Sequence, residues 1–179
     1  MVCILLAPGF EEMEALVPAD ILRRAGATVA LVGTRGQLVP GGQGITVKAD
    51  LLLEQVDLAE VQLLVLPGGG AGVADLGSDP GVEALVRAAA EREIPLAAIC
   101  AAPSLLAKWG LLEGKQAVCY PTWADRIPGA QFCPGEKLAQ DGTIITGQAA
   151  GASFDFGLKL AELVAGPEKA QEVRHGICY

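Results

Sequence analysis

Leu96-Ala97-Ala98-Ile99-Cys100-Ala101-Ala102-Pro103-Ser104-Leu105-Leu106-Ala107-Lys108-Trp109 is the stretch that decides the architecture. It begins with an apolar run without alternation, which suits a strand buried on both faces. Pro103 then opens a helical stretch where a missing N–H has no intrahelical partner to lose. Gly110 closes it. Strand followed at once by helix is half of a parallel unit, and the same succession recurs along the chain. Strand-length apolar runs stand at Val2–Ala7, Thr28–Val32, Gln62–Leu66, Leu96–Cys100 and Gln116–Cys119. Helical patterns occupy Glu12–Ala25, Gly81–Glu93 and Pro103–Trp109. The alternation predicts a mostly parallel α/β sheet with helices on both faces.

Two segments interrupt this rhythm. Leu38–Val47 and Lys137–Thr146 each set a turn signal, Gly41-Gly42 and Asp141-Gly142, between short β-prone runs, so each reads as a small hairpin or an addition to the sheet edge. A last amphipathic helix is expected over Ala152–Ala165, with Pro167 starting a short charged one to about Arg174. No repeat or linker divides the chain, so residues 1–179 are expected to form one domain.

Charge narrows the partners. With 13 Lys+Arg against 21 Asp+Glu the formal net charge is −8, and no basic run exceeds Arg23-Arg24, so no footprint for nucleic acid or an anionic membrane surface exists. Met1–Phe10 and Leu96–Ala107 are too short for a spanning helix. No positive charge precedes Val2-Cys3-Ile4-Leu5-Leu6 beyond the chain start, and Glu11-Glu12 follow, which reads as a buried strand rather than a secretion signal. Five cysteines at 3, 100, 119, 133 and 178 lack C-x-x-C pairing, as reduced cytoplasmic thiols would. A single histidine, His175, leaves no closed zinc ligand set, so no metal is expected.

In an open α/β sheet ligands sit at the carboxyl ends of the strands. Three such ends stand out. Ala98-Ile99-Cys100-Ala101-Ala102 has the layout of a nucleophile elbow, with alanines where the flanking small residues must be. The helix starting at Pro103 would favour a thiolate at Cys100; a small buried core residue is the other reading. Cys3 and Cys119, among aliphatics, read as core. Pro67-Gly68-Gly69-Gly70 offers N–H groups for an anion or oxyanion, or simply a tight turn. Neither the dinucleotide nor the P-loop fingerprint is present. Glu11, Glu12 and Glu14 open a helix, where acids complement the dipole; one of them could instead share a proton with Cys100.

These segments resemble the ThiJ/PfpI superfamily, in the branch of the Parkinsonism-linked deglycase and the bacterial YajL-like proteins. The likeness runs over almost the whole chain. It rests on Gly9-Phe10-Glu11-Glu12-Met13-Glu14-Ala15, Arg23-Arg24-Ala25-Gly26, Leu66-Pro67-Gly68-Gly69, Ala97-Ala98-Ile99-Cys100-Ala101-Ala102-Pro103 and Gly151-Ala152-Ser153-Phe154-Asp155-Phe156. The resemblance implies a flavodoxin-like sandwich, a homodimer and no cofactor. It gives Cys100 the elbow cysteine's place, Glu14 that of a protonated glutamate on its sulfur, and Gly69 and Ala101 the backbone N–H groups. Tyr120, Arg24 and Ser153 are candidate pocket residues. Many members carry a histidine after the strand that follows the elbow, whereas this chain has Cys119-Tyr120-Pro121-Thr122. By resemblance the activity is that of a cysteine-based glyoxalase or protein deglycase acting on dicarbonyls or their adducts. The alternative is a redox-responsive chaperone or sensor working through Cys100. The peptidase activity of the PfpI branch leans on a Cys/His pair and ranks last.

Overall fold

The structure, a computed structural model, describes residues 1–179. In chain order it comprises β1 (Val2–Leu6), α1 (Glu12–Arg24), β2 (Val29–Gly33), β3 (Leu38–Pro40), β4 (Thr46–Lys48), β5 (Leu51–Leu52), β6 (Leu63–Leu66), α2 (Gly70–Ser78) and α3 (Pro80–Glu91). Then follow β7 (Leu96–Ile99), α4 (Pro103–Lys108), β8 (Gln116–Ala117), β9 (Gln131–Phe132), β10 (Leu138–Asp141), β11 (Ile144–Gly147), α5 (Ser153–Ala165) and α6 (Pro167–Gly176). Seven strands form the central sheet in the order β10-β11-β7-β6-β1-β2-β5, parallel except for β10.

The two-residue period of each central strand builds two separate cores. Cys3, Leu5, Leu64, Leu66, Leu96 and Ala98 face one side, where α2, α3 and α4 cover them with Val73, Leu76, Val82, Val86 and Leu105. Ile4, Leu6, Leu63, Val65, Ala97 and Ile99 face the other, under Ala15, Ile21, Leu22, Phe156 and Leu160 of α1 and α5. This is the doubly covered sandwich that unalternating apolar strands imply.

One expectation needs correction. The run Gln116–Cys119 is not a sheet strand: only Gln116–Ala117 is extended, pairing with Gln131–Phe132 in a separate two-stranded ribbon. Val118 and Cys119 are buried but leave the ladder, and the Val118 N–H is taken by Thr146 Oγ1 at 2.9 Å. The helix α2 is not among the helices the sequence predicts, because its Gly70-Ala71-Gly72 opening has the composition of a turn. Close approach explains it: a Cβ on Gly72 would lie 2.8 Å from Phe10 Cα. The second hairpin is the addition to the sheet edge that its sequence predicts, β11 pairing antiparallel with β10 and parallel with β7. The first, β3 with β4, forms its own ribbon, as expected.

Candidate functional site

Parallel pairing brings the carboxyl ends of β1, β6, β7 and β11 to one edge; Leu66 stands beside Ala98 and Ile99 beside Gly147. The residue after β7 is Cys100, with φ of 65°, a left-handed conformation that is uncommon outside glycine. Its N–H still donates to Gly147 O at 2.9 Å, while its carbonyl accepts the Tyr120 N–H at 2.7 Å. The chain therefore turns sharply at a residue held on both sides, and the thiol is left half-buried at the top of the sheet. This is the elbow geometry that the small flanking residues Ala98 and Ala102 allow.

The three acids at the start of α1 have three different tasks. Glu11 is the N-cap, its carboxylate accepting the Glu14 N–H at 2.8 Å. Glu12, nearly buried, accepts from Gln43 N–H at 2.7 Å and Ile45 N–H at 3.3 Å, and so ties the β3–β4 ribbon to the first strand end. Glu14 is wholly buried and turned inward, with Oε2 accepting the Gly68 N–H at 2.8 Å. Its other oxygen, Oε1, is buried without a partner. Gly68 is the floor on which Glu14 and Cys100 meet: a Cβ there would collide with Glu14 Oε2 and lie 2.7 Å from Cys100 Cβ.

Glu14 and Cys100 meet over Gly68 and titrate as a pair. Burial raises the Glu14 carboxyl to about 7, with Glu11 adding to the rise while Cys100 and the Gly68 N–H oppose it. Burial also pushes the Cys100 thiol up to about 12, helped by the charge of Glu14 and its hydrogen bond, against the N–H groups of Ala101 and Gly69. The start of α4 therefore does not by itself yield a free thiolate: that helix has only six residues, and burial outweighs it. Between those two values the pair holds one proton and one negative charge.

The remaining candidates divide. Gly69, with φ of 91°, and Ala101 present their N–H groups to the sulfur. Tyr120 contacts the elbow through its backbone, its side chain exposed. Ser153, wholly buried, begins α5 with its Oγ unpartnered. Arg24 is not brought to the site: it lies ten residues beyond Glu14 on α1, roughly 15 Å along the axis, and pairs with Asp20 at 2.6 Å. His175 is exposed on α6, its ring nitrogen 3.0 Å from the Gln171 amide. Cys3 and Cys119 are buried core thiols, each pushed up to about 11 by burial. The cleft between α5 and α6, about 410 Å³, is lined by Asp155, Lys159, Glu162 and Arg174 and contains no nucleophilic thiol. Reading the sequence missed Gly68 as the donor to Glu14, although Pro67-Gly68-Gly69-Gly70 had marked the loop, and missed Glu12 as the tie to the ribbon. No local pattern separates Glu12 and Glu14, whose partners lie 31 to 54 residues away, from Glu11, which caps its own helix.

Comparison with known proteins matches the DJ-1/PfpI family over residues 1–163. The chain is similar to Protein dj-1beta of Drosophila melanogaster, 38% identical over 176 residues and spanning 97% of this chain and 94% of the relative. It is 29% identical over 178 residues to the glutathione-independent glyoxalase DJR-1.2 of Caenorhabditis elegans, covering 98% and 94% of the two chains. The crystal structure of Drosophila melanogaster DJ-1beta superposes with a TM-score of 0.95 at 37% identity, over 99% of this chain and 96% of that one.

Proposed function

This chain belongs to the DJ-1/PfpI family, and from that premise we propose that it is a cofactor-independent, cysteine-based glyoxalase or deglycase acting on reactive dicarbonyls or their adducts. The observation that carries the reading is the Cys100–Glu14 pair, with one proton between them and two N–H groups on the sulfur. A relative bearing the name of a glutathione-independent glyoxalase supports the same class.

The working form has donors ready for it. A charge on sulfur meets the Ala101 and Gly69 N–H groups and, when Glu14 is neutral, its O–H as well. A charge on the carboxylate would leave Oε1 buried with no N–H donor. The thiolate with a carboxylic acid is the reactive arrangement, reached when the proton that the pair holds passes from Cys100 to Glu14. The thiolate adds to the aldehyde carbon of methylglyoxal, forming a C–S bond while the carbonyl electrons move to oxygen, which takes the Glu14 proton. Glu14, now a carboxylate, removes the proton from that carbon and returns it to the neighbouring one, while the hydroxyl proton passes from the first carbon's oxygen to the second's, so the aldehyde carbon is oxidised to a thioester and the ketone carbon reduced to an alcohol within one molecule. The resulting lactyl thioester is hydrolysed by water, releasing lactate and the thiol. No external oxidant or cofactor enters the balance.

Lactate formation from methylglyoxal without added thiol tests this: the parent protein is expected to turn over and Cys100→Ser to lose activity. No lactate from the parent would remove the reading. We further propose that the protein acts as a cytoplasmic homodimer, to be checked by light scattering.

A second reading has its own support. By the resemblance Tyr120 stands where many members carry a histidine, and His175 is exposed on α6 beside Gln171. A Cys100 oxidised to sulfinate would keep the same N–H donors and gain a hydrogen bond from Glu14, as a redox-responsive chaperone or sensor requires. Intact-mass analysis after limited peroxide, with Cys100→Ser as control, reads that outcome.

A further inference from the structure

Two buried side-chain oxygens on contacting helices lack a partner: Oε1 of Glu14 on α1 and Oγ of Ser153 on α5. Both residues have no exposed surface. An unpaired buried hydroxyl or carboxyl oxygen is costly, so each implies a task.

Their relative position follows from the helices that carry them. α1 follows β1 and α5 follows β11, and both strands run the same way within the sheet, so the two helices start at the same edge and descend side by side. The contact between them is close: a Cβ added to Gly157 would lie 3.0 Å from Pro18 Cα and 2.9 Å from Ile21 Cδ1. Glu14 precedes Pro18 by four residues and Ser153 precedes Gly157 by four. One turn, about 6 Å, up the same contact line therefore sets Ser153 level with Glu14. Helical side chains lean toward the N-terminus of their own helix, here toward the edge where Cys100 sits.

We propose that Ser153 is a positioning residue for Glu14, its hydroxyl donating through one bridging water to Oε1. The bridge gives Oε1 the donor it lacks and holds the carboxyl in the rotamer that faces Cys100. It also steadies the ionised carboxyl at the moment when, by the reading above, Glu14 has given up its proton. The titratable groups that act on Glu14 are Glu11 and Cys100. From α5 the nearest acid, Asp155, is engaged by Lys137 at 2.8 Å.

The test observes the carboxyl itself, without substrate. Glutamate Cδ resonances of the 13C-labelled protein are followed with pH, that of Glu14 being the one lost in Glu14→Gln. Ser153→Ala keeps the helix and its N–H groups but removes the donor. A donor to a carboxylate favours the ionised form, so its loss is expected to raise the Glu14 midpoint by about half a unit to one unit. Ser153→Thr, which keeps the hydroxyl, is expected to titrate with the parent. An unmoved midpoint in a folded Ser153→Ala overturns the proposal, above all if its Tm rises, as removal of an idle buried hydroxyl would make it do. A folded Ser153→Thr that titrates with Ser153→Ala overturns it equally. Because no turnover is measured, failure here leaves the dicarbonyl reading standing, and absence of lactate leaves this one standing.

Discussion

The Cys100 N–H donates to the Gly147 carbonyl at 2.9 Å, so the ladder joining β7 to β11 runs one residue past the end of β7, onto the residue whose φ is 65°. The carbonyl of the same residue accepts the Tyr120 N–H at 2.7 Å. Backbone held at both ends over-determines an unfavourable conformation, and that is how such a conformation persists at a functional position. The sulfur is aimed by the main chain, with side-chain packing as a secondary influence.

Replacing Cys100 by glycine should therefore relieve strain that alanine retains. Both variants lose the sulfur, but only glycine is at ease at positive φ. We expect Cys100→Gly to be more stable than Cys100→Ala by about 1 kcal/mol. Urea unfolding of the two variants checks this, and equal midpoints would mean that the elbow stores no strain.

Gly68→Ala is expected to separate Glu14 from Cys100. The new methyl would strike Glu14 Oε2 and sit 2.7 Å from Cys100 Cβ and 3.0 Å from Ile99 O, and the last of these is backbone that cannot yield. The expected loss is about 1–3 kcal/mol of stability, the usual scale of forced overpacking. The Glu14 midpoint should move with it, since the Gly68 N–H bond is broken. An unaltered Glu14 titration would show that the loop is not the floor of the site.

How much of this the sequence disclosed depends on the range of the interaction involved. The central strands and α1, α3, α4 and α5 were legible because their signals are local: apolar runs, a proline at Pro103, a glycine at Gly110. The elbow was legible for the same reason, since alanines at 98 and 102 flank the turn. The ribbon strand β8 was not, because Gln116–Cys119 has the composition of a central strand and only tertiary pairing with Gln131–Phe132 removes it. Arg24 shares a segment with real site neighbours, but a helix carries it away from the edge that Glu14 faces. Gly68 matters through contacts with Glu14 and Cys100, which no sequence window contains, and Ser153 is marked in the sequence by the resemblance alone.

Stability should depend on pH through Glu14 in a direction opposite to that of an ordinary ion-paired acid. Its folded value is raised from 4.5 to about 7, so between those values the folded state binds the extra proton. The contribution is fully present below about 4.5 and is lost as pH rises through about 7. Its size is on the order of 3 kcal/mol. Glu14→Gln cannot titrate, so the stability difference between parent and variant should shift by that amount across the interval. Denaturant unfolding at pH 4.5 and pH 7.5 measures it, and a constant difference would place the Glu14 carboxyl at an ordinary value.

Glutamine and alanine at position 14 should separate the two roles of the carboxyl. The amide of Glu14→Gln can still donate a hydrogen bond toward Cys100 and still fill the space beside Gly68, but it cannot accept a proton from carbon and return it. Turnover of methylglyoxal is expected to fall at least ~100-fold, the lower end of what a general acid/base contributes. Oxidation of Cys100 by peroxide should persist, because a donor to the sulfur and to the oxidised sulfur's oxygen remains. Glu14→Ala removes donor and proton carrier together, so both readouts should be lost. Parallel assays of lactate formation and of Cys100 oxidation by peptide mass decide the matter. If Glu14→Gln turns over methylglyoxal like the parent, the proton between carbon and oxygen is carried by another group, and the Cys100–Glu14 pair is a device for holding the sulfur alone.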